Sequence, residues 1–299
     1  MSRPELSIVI VSWNTRDYLD ACLTSIRDVP DKVSREVIVV DNASADGTAE
    51  MVAAEHPGVA LIANDDNRGY AAGNNQGIEG AEGEHVLLLN PDIVVHAGAL
   101  DTLVRFLQDH EAAGAVAPRL ILPDGSVQAS CRSFPTPDVV LYEALGLSRL
   151  FPRSRRFGKY RMTWWDYDGR RRVDQPMASA ILVRGQALAE VGGMDEQFPI
   201  FFNDVDLCRR LWDADWEVWF TPEASMDHVG GASTGQVRRR MLTESHRSFV
   251  TFYRKHFRGS VPWWRYWGAV GLLRAGHVVR VATHALRTAL RGGATSVLG

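Results

Sequence analysis

His85-Val86-Leu87-Leu88-Leu89-Asn90-Pro91-Asp92-Ile93-Val94-Val95 is an apolar run interrupted by a turn and a carboxylate. A short continuous apolar run suits a strand buried on both faces of a parallel sheet. Pro91 has no N–H and cannot continue a central strand, so the chain must turn there. Asp92 is thereby placed at the carboxyl end of a buried strand, where open α/β sheets bind their ligands. A carboxylate at that place, beside a nucleotide diphosphate, is a natural ligand for a hard divalent cation. The stretch implies a metal-dependent enzyme acting on a nucleotide-activated substrate.

Working outward, residues 6–11, 36–40, 59–62 and 115–117 are further short β-rich runs. Helical spacing fills the intervals. Residues 19–26 carry apolar side chains at 19, 22, 23 and 26, and residues 45–54, 70–79 and 100–107 read as helices, the first with Ser44 as its expected N-cap. Strand–helix–strand order means parallel pairing with right-handed crossovers. The first 120 residues are thus expected to form a doubly wound α/β unit. The pattern changes near Arg119. Residues 120–175 are rich in Pro, Arg and aromatics, with weak periodicity, and a loop-rich region of that length is more often a binding lid than a linker. Strands are expected again at 177–183 and 218–221, and helices at 204–212 and 238–255. Three parts follow: an α/β half over 1–120, a second half of the same domain over 121–235, and a basic helical tail over 236–299. No internal repeat or low-complexity segment is seen.

The 299 residues are 45% apolar and 23% charged, enough for a sizeable core. Cys22, Cys131 and Cys208 are too few and too scattered for a disulfide framework or a zinc site, and fit buried thiols in a reducing cytosol. No basic segment followed by a long apolar stretch opens the chain, so no signal peptide is expected. The net charge of −3 conceals a polarity: residues 231–299 carry 12 Arg/Lys and one acid, while residues 1–230 carry 21 basic and 35 acidic residues. An acidic body that uses cations and a tail for an anionic partner would produce it. No GxGxxG fingerprint or Walker loop is present, which argues against a dinucleotide-dependent dehydrogenase and a P-loop NTPase.

Three further segments carry chemistry. Asp41 leaves the second strand, where it can accept hydrogen bonds from a nucleobase or ribose, or simply hold a turn. Asn64 to Asn75 is dense in amides and glycines. Amides supply paired donors and acceptors, glycines admit a ligand close to the backbone, and Arg68 can meet a phosphate. Between Met194 and Arg210, aromatics precede Asp204 and Asp206. A carboxylate against apolar walls has a raised pKa, as a general base needs, and two such residues two apart on a helix face different sides. The plainer reading, acids at a helix N-terminus, weighs about equally on this segment alone. His228, in Asp227-His228-Val229-Gly230-Gly231-Ala232-Ser233-Thr234, can ligate a metal or bind phosphate, although a lone His is more often structural.

Taken together, residues 7–14, 39–47, 67–77, 87–92, 192–209 and 228–234 resemble family 2 glycosyltransferases of the GT-A fold, in particular a bacterial rhamnosyltransferase-like branch. The resemblance covers residues 5–235, in the family's order. It implies a mostly parallel sheet with an acceptor-side subregion. It implies that Trp13, Asn14, Asp41, Asn67, Arg68, Gly69, Asn74 and Asn90 line the nucleotide-sugar pocket. Asn90-Pro91-Asp92 stands where the family has an Asp-x-Asp element, so Asp92, helped by His228, would hold Mg²⁺ or Mn²⁺. Asp204 would be the catalytic base of a single inverting displacement, with Asn203 where the family has Glu. The branch implies a nucleotide-diphosphate sugar, dTDP-rhamnose ahead of a UDP- or GDP-sugar. It implies a lipid-linked or cell-surface glycan as acceptor.

The tail opens with Trp263-Trp264-Arg265-Tyr266-Trp267. Its longest uncharged stretch, 266–273, has only eight residues, against the roughly 20 a spanning helix needs. Aromatics with arginines on a helix suit contact through residues 260–291 with an anionic membrane surface, and hence a cytoplasmic protein peripheral at the inner face of the plasma membrane. A helix packed on the body, or a homodimer contact, is the alternative. Nothing resembles a nucleic-acid recognition module. The rival functions are a nucleotidyltransferase on a similar fold and a non-catalytic sugar- or membrane-binding member.

Overall fold

The structure is a computed structural model that describes residues 3–230 and 238–294. The chain opens with β1 (Leu6–Ser12), α1 (Arg16–Asp28), β2 (Arg35–Asp41), α2 (Thr48–Glu55), β3 (Ala60–Ala63) and α3 (Tyr70–Glu79). β4 (His85–Leu89) and β5 (Ile93–Val95) flank the Asn90-Pro91-Asp92 turn, and α4 (Ala99–Asp109) leads to β6 (Ala113–Ile121). The segment expected to be loop-rich holds β7 (Cys131–Arg132), α5 (Pro137–Ala144), α6 (Leu147–Leu150), β8 (Arg171–Arg172) and β9 (Gln175–Pro176). Then come β10 (Ala180–Arg184), α7 (Gly185–Val191), α8 (Asn203–Asp213), β11 (Glu217–His228), α9 (Arg238–His256) and α10 (Trp263–Ala294).

Among the described residues the main sheet runs β3-β2-β1-β4-β10-β6-β11-β5, with β8 added on β11. β1, β2, β3, β4, β6 and β11 share one direction, and β10, β5 and β8 run against them. The sheet is therefore mostly parallel, and the order reverses beside β1, the topological switch where ligand crevices form. Alternation along the strands feeds two cores. Leu6, Ile8, Ile10, Leu87 and Leu89 face α1, α2 and α4, whereas Val9, Val86, Leu88, Ile181 and Val183 face α3, α7 and α8. Each such side chain, fully buried, stabilises the fold by about 1.5–3 kcal/mol. The three cysteines are free and buried.

Local details depart from expectation. The second helix starts at Thr48 rather than 45, with Gly47 in the left-handed region at its N-cap. Ser44 is not the cap, because its hydroxyl donates to Asp41 Oδ1 instead. The last strand of the body is longer than the four residues expected: it pairs with β6 from Glu217 to Asp227 across register shifts, and its end from Met226 to His228 also pairs with β5. Asp227 and His228 consequently end that strand rather than begin a loop, and the Gly231–Thr234 part of their segment lies outside the described residues.

Candidate active site

The loops after β1, β2 and β3 are sewn together at their carboxyl ends. The Asn14 backbone N–H donates to Ser44 Oγ (2.8 Å), and the Ala45 N–H donates to Asn14 Oδ1 (2.8 Å). Asp41 is buried and accepts from the Ser44 N–H (3.1 Å) and hydroxyl (2.5 Å). Asp41 thus stands where expected and also holds its own turn, the plainer of the two readings. Asn14 and Ala43, neither of them glycine, sit at φ 50° and 58°. Backbone held in that sparsely populated region concentrates at functional loops. Trp13 lies half-exposed beside them.

Asn67, Arg68 and Gly69 form the next rim. Arg68 is half exposed and paired with Asp66 at 3.3 Å, and Asn67 Oδ1 accepts the Gly69 N–H at 3.0 Å. Gly69 (φ 89°) can be only glycine, because a Cβ there would also press Pro199 O at 3.1 Å. Asn74 departs from the expectation that it faces a ligand. It is fully buried and donates to the Tyr70 carbonyl (2.8 Å). Gly73 also serves packing: a Cβ would meet Val11 at 2.9 Å, and one at Gly77 would meet Val9 at 2.2 Å. These glycines let α3 lie on β1 rather than admit a ligand.

Asp92 and His228 come together from the β4–β5 turn and the end of β11, and the start of α8 is tied to that turn through Ala178 and Tyr70. The Tyr70 hydroxyl lies 3.0 Å from both Asn90 Oδ1 and the Ala178 carbonyl, and Asn90 Nδ2 is 3.4 Å from Ser179 Oγ. Asn90, half-buried, thereby anchors the Asn-Pro-Asp turn to Tyr70 and Ser179. Asp92 is buried, accepts the Gly230 N–H on Oδ2 (3.1 Å), and brings Oδ1 within 3.5 Å of His228 Nε2. On its other side, His228 Nδ1 is 2.7 Å from Gln128 Oε1. An amide oxygen only accepts, so the Nδ1–H donates to it and Nε2 is the ring nitrogen turned to the Asp92 carboxylate. An imidazole nitrogen beside a carboxylate is a ligand pair that suits a divalent metal. Among the described residues no group of three or more His, Cys, Asp or Glu gathers as a closed protein cage. An open pair fits an ion that also takes oxygens from its substrate.

Asp204 enters from the first turn of α8. Phe202, at φ 70°, makes the sharp entry to that helix. Asn203 stabilises the entry: its amide donates to the Ile200 carbonyl (3.0 Å), and its oxygen accepts the Asp204 N–H (2.7 Å). Glutamate could not donate in this way, so Asn203 is a structural clamp of the loop. Asp204 accepts the Val205 N–H (2.8 Å) and the Ala178 N–H (3.3 Å). Burial nonetheless lifts its carboxyl above the ordinary aspartate value, against those donors. Asp206 faces the other way, as the two-residue spacing demands, toward Arg210 and His256. Tyr70, Gln128 and Ser179 escaped the sequence reading, since their roles depend on contacts as remote as the 108 residues between Tyr70 and Ala178.

The model of the family "Glycosyl transferase family 2" matches residues 7–168. A curated N-acetylglucosaminyl-diphospho-decaprenol L-rhamnosyltransferase of Mycobacterium tuberculosis is 31% identical over 271 residues, 87% of this chain and 86% of that protein. The succinoglycan biosynthesis protein ExoO of Rhizobium meliloti is 37% identical over 113 residues, covering 38% of this chain and 31% of its own. Among solved structures, the Pyrobaculum calidifontis mannosyltransferase PcManGT with GDP-Man and Mn²⁺ superposes with TM-score 0.59. It is 19% identical and covers all of this chain and 82% of its own. GalNAc-T7 with UDP, GalNAc and Mn²⁺ gives TM-score 0.57 at 14% identity, over 76% of this chain and 44% of that one. These two likenesses concern the fold, a GT-A glycosyltransferase architecture.

Proposed function

The chain belongs to glycosyl transferase family 2 and is a glycosyltransferase that uses a nucleotide sugar, and we propose that it is a divalent-metal-dependent inverting enzyme. The family decides against the nucleotidyltransferase and the non-catalytic rivals. The observation that carries the reading is the approach of His228 Nε2 to Asp92 Oδ1 (3.5 Å) at the carboxyl end of the sheet, with Asp204 tied to the same turn through Ala178, whose N–H it accepts and whose carbonyl faces the Tyr70 hydroxyl beside Asn90. Asp92 and His228 would hold Mg²⁺ or Mn²⁺ on the donor diphosphate, and the bound ion supplies Lewis-acid stabilisation of the departing nucleoside diphosphate. Gln128, accepting from the His228 Nδ1–H, orients the imidazole with Nε2 toward Asp92. Asp41, with Trp13 and Asn14, forms the nucleoside end, and Arg68 at the rim meets phosphate.

Asp204 acts as the base. It removes the proton from the acceptor hydroxyl as that oxygen attacks the anomeric carbon, and configuration inverts in one displacement. The donor is a nucleotide-diphosphate sugar, with dTDP-rhamnose favoured by the mycobacterial relative's name. The acceptor is a lipid-linked glycan in cell-wall or other surface polysaccharide synthesis, on the same ground. Residues 1–120 bind the donor, residues 121–235 supply the acceptor side and base, and residues 236–299 form the tail. No described helix is long and apolar enough to cross a membrane. The tail docks the protein on the inner face of the membrane, where lipid-linked acceptors are held. A thermal-shift panel of dTDP-, UDP- and GDP-sugars with and without Mn²⁺ tests this reading, because a ligand bound to the folded state raises Tm by mass action. The true donor shifts Tm and then releases nucleoside diphosphate. Stabilisation by every sugar equally, without dependence on Mn²⁺, would contradict the metal assignment.

A further inference from the structure

Helix α10 divides its faces. Tyr266, Ala269, Val270 and Leu273 are buried at one-stripe spacing and share a core cluster with Val140 of α5. Trp263, Trp264 and Trp267 are 76%, 57% and 56% exposed, and Val278 is 65% exposed. At about 100° per residue, these four and Arg274 fall on one flank of the helix. Beside α10 lies α5, and the α5–α6 segment also holds apolar side chains in solvent: Leu145 is 60% exposed, Leu150 69% and Phe151 51%. Single exposed apolar residues are ordinary, but groups of them on adjoining elements mark an interaction surface.

Charge identifies the occupant. Between residues 145 and 165 stand six Arg/Lys and no acid, in a body that is otherwise acidic. All six are exposed, as are Arg258, Arg265 and Arg274 around α10. Tryptophans, aliphatic tips and arginines together match the boundary layer of a bilayer, where indoles sit at headgroup depth and guanidinium groups meet lipid phosphate. The same segment is tied back to the body where the Ser133 N–H donates to the Tyr160 carbonyl (3.0 Å).

We propose that α5–α6 and the first half of α10 form one docking face for an anionic lipid bilayer, with Leu145, Leu150, Phe151 and the three tryptophans entering the interface. This rests on the reading of the tail as membrane-facing and adds a second contact element from the catalytic body. One helix would leave the body free to swing, whereas two contacts fix its orientation and hold the acceptor side of the site against the lipid.

Flotation of the full chain with phosphatidylcholine vesicles, with and without phosphatidylglycerol, tests the proposal. Wild type should float only with the anionic vesicles, and less so at high salt. The joint variant Leu145→Glu, Leu150→Glu, Phe151→Glu should weaken binding about ten-fold or more with Tm unchanged. Trp263→Ser, Trp264→Ser, Trp267→Ser should do the same. Undiminished binding by the first variant, with loss in the second, overturns the two-element face and leaves the tail reading standing. If wild type binds no vesicle, the tail reading itself falls. A wild-type dimer that the first variant turns into a monomer, with vesicle binding unchanged, assigns the face to a second copy of the chain and also overturns the proposal.

Discussion

At the scale of single residues, the site sets chemistry against stability at Asp204. Its folded pKa is raised, so the folded protein holds that proton more tightly than the unfolded chain. The resulting contribution to stability is fully present below the unfolded value and is lost as pH rises through the folded value. At neutral pH the ionised base therefore destabilises the fold. Asp204→Asn should lower kcat by about 10²- to 10⁴-fold while raising Tm at pH 7, and the Tm gain should vanish below pH ~4. Calorimetry across pH, paired with donor turnover, checks both halves; a Tm that falls at pH 7 would refute the desolvation argument. For wild type, the acid limb of kcat/KM should lie above the ordinary carboxylate range. Gln128 poses the complementary question. Gln128→Leu removes the acceptor that fixes His228 Nδ1–H, and should weaken Mn²⁺ binding about 10- to 100-fold in a titration followed by electron paramagnetic resonance. Equal affinity in the two proteins would show that the tautomer is set elsewhere. Asp92, His228 and Asp204 were legible as residue types at strand and helix ends. Gln128 was not, because an amide 100 residues from its imidazole leaves no local pattern.

Among the elements, α3 joins the donor and acceptor halves. The Tyr70 and Ala71 N–H groups at its start donate to the Pro199 carbonyl (2.7 and 3.2 Å), and Asn75 exchanges two hydrogen bonds with Met194. Its seat depends on Gly77, whose added Cβ would stand 2.2 Å from Val9 Cγ1. Val9 is fully buried and has little room to retreat, so Gly77→Ala should cost about 1–3 kcal/mol, read from denaturant midpoints. A neutral outcome would mean that α3 can slide on the sheet. Helix α8 is held differently. Asp206 is buried among Arg210 (2.8 Å), His256 (2.7 Å) and Lys255 (2.7 Å), which bring the end of α9 onto the helix that carries the base. Burial opposes its ionisation, but the hydrogen bonds of His256, Lys255 and Arg210 win and hold its pKa at about 2. The folded value is depressed, so its contribution, about 2 kcal/mol, is present above the unfolded value near 4 and is lost as pH falls through about 2. Asp206→Asn should remove that acid-side slope of stability and destabilise the protein by about 3 kcal/mol at neutral pH, with Arg210, Lys255 and His256 left facing an amide. Period and spacing revealed α3 and α8 in the sequence. They could not reveal that α3's glycines serve a helix–sheet contact, because close packing and ligand approach select the same residue.

For the molecule as a whole, the alternation of short β-rich runs with helical spacing was enough to read the parallel half of the sheet, since each βαβ unit is local in sequence. The antiparallel insertion of β10 between β4 and β6 was not legible, because those pairings join strands about 60 to 100 residues apart. Residues 120–175 hid their helices for a related reason: α5 and α6 are short, and α5 borrows its partner from α10. That debt decides how the C-terminal region can be tested. The charge count separates residues 231–299 from the body, yet Tyr266, Ala269, Val270 and Leu273 are buried in the same cluster as Val140, Tyr253 and Phe257. A chain truncated after Gly259 would expose that cluster and lose the burial of those four side chains, of which each large one contributes about 1.5–3 kcal/mol. Total stabilities of domains are about 5–15 kcal/mol, so this loss is a large fraction of the whole. Truncation after Gly259 should therefore lower Tm by about 10 °C or more, or yield an insoluble chain, whereas truncation after Val278 should leave Tm close to wild type. If the shorter chain melts as wild type does, α10 is an appendage and the charge boundary is also the structural one.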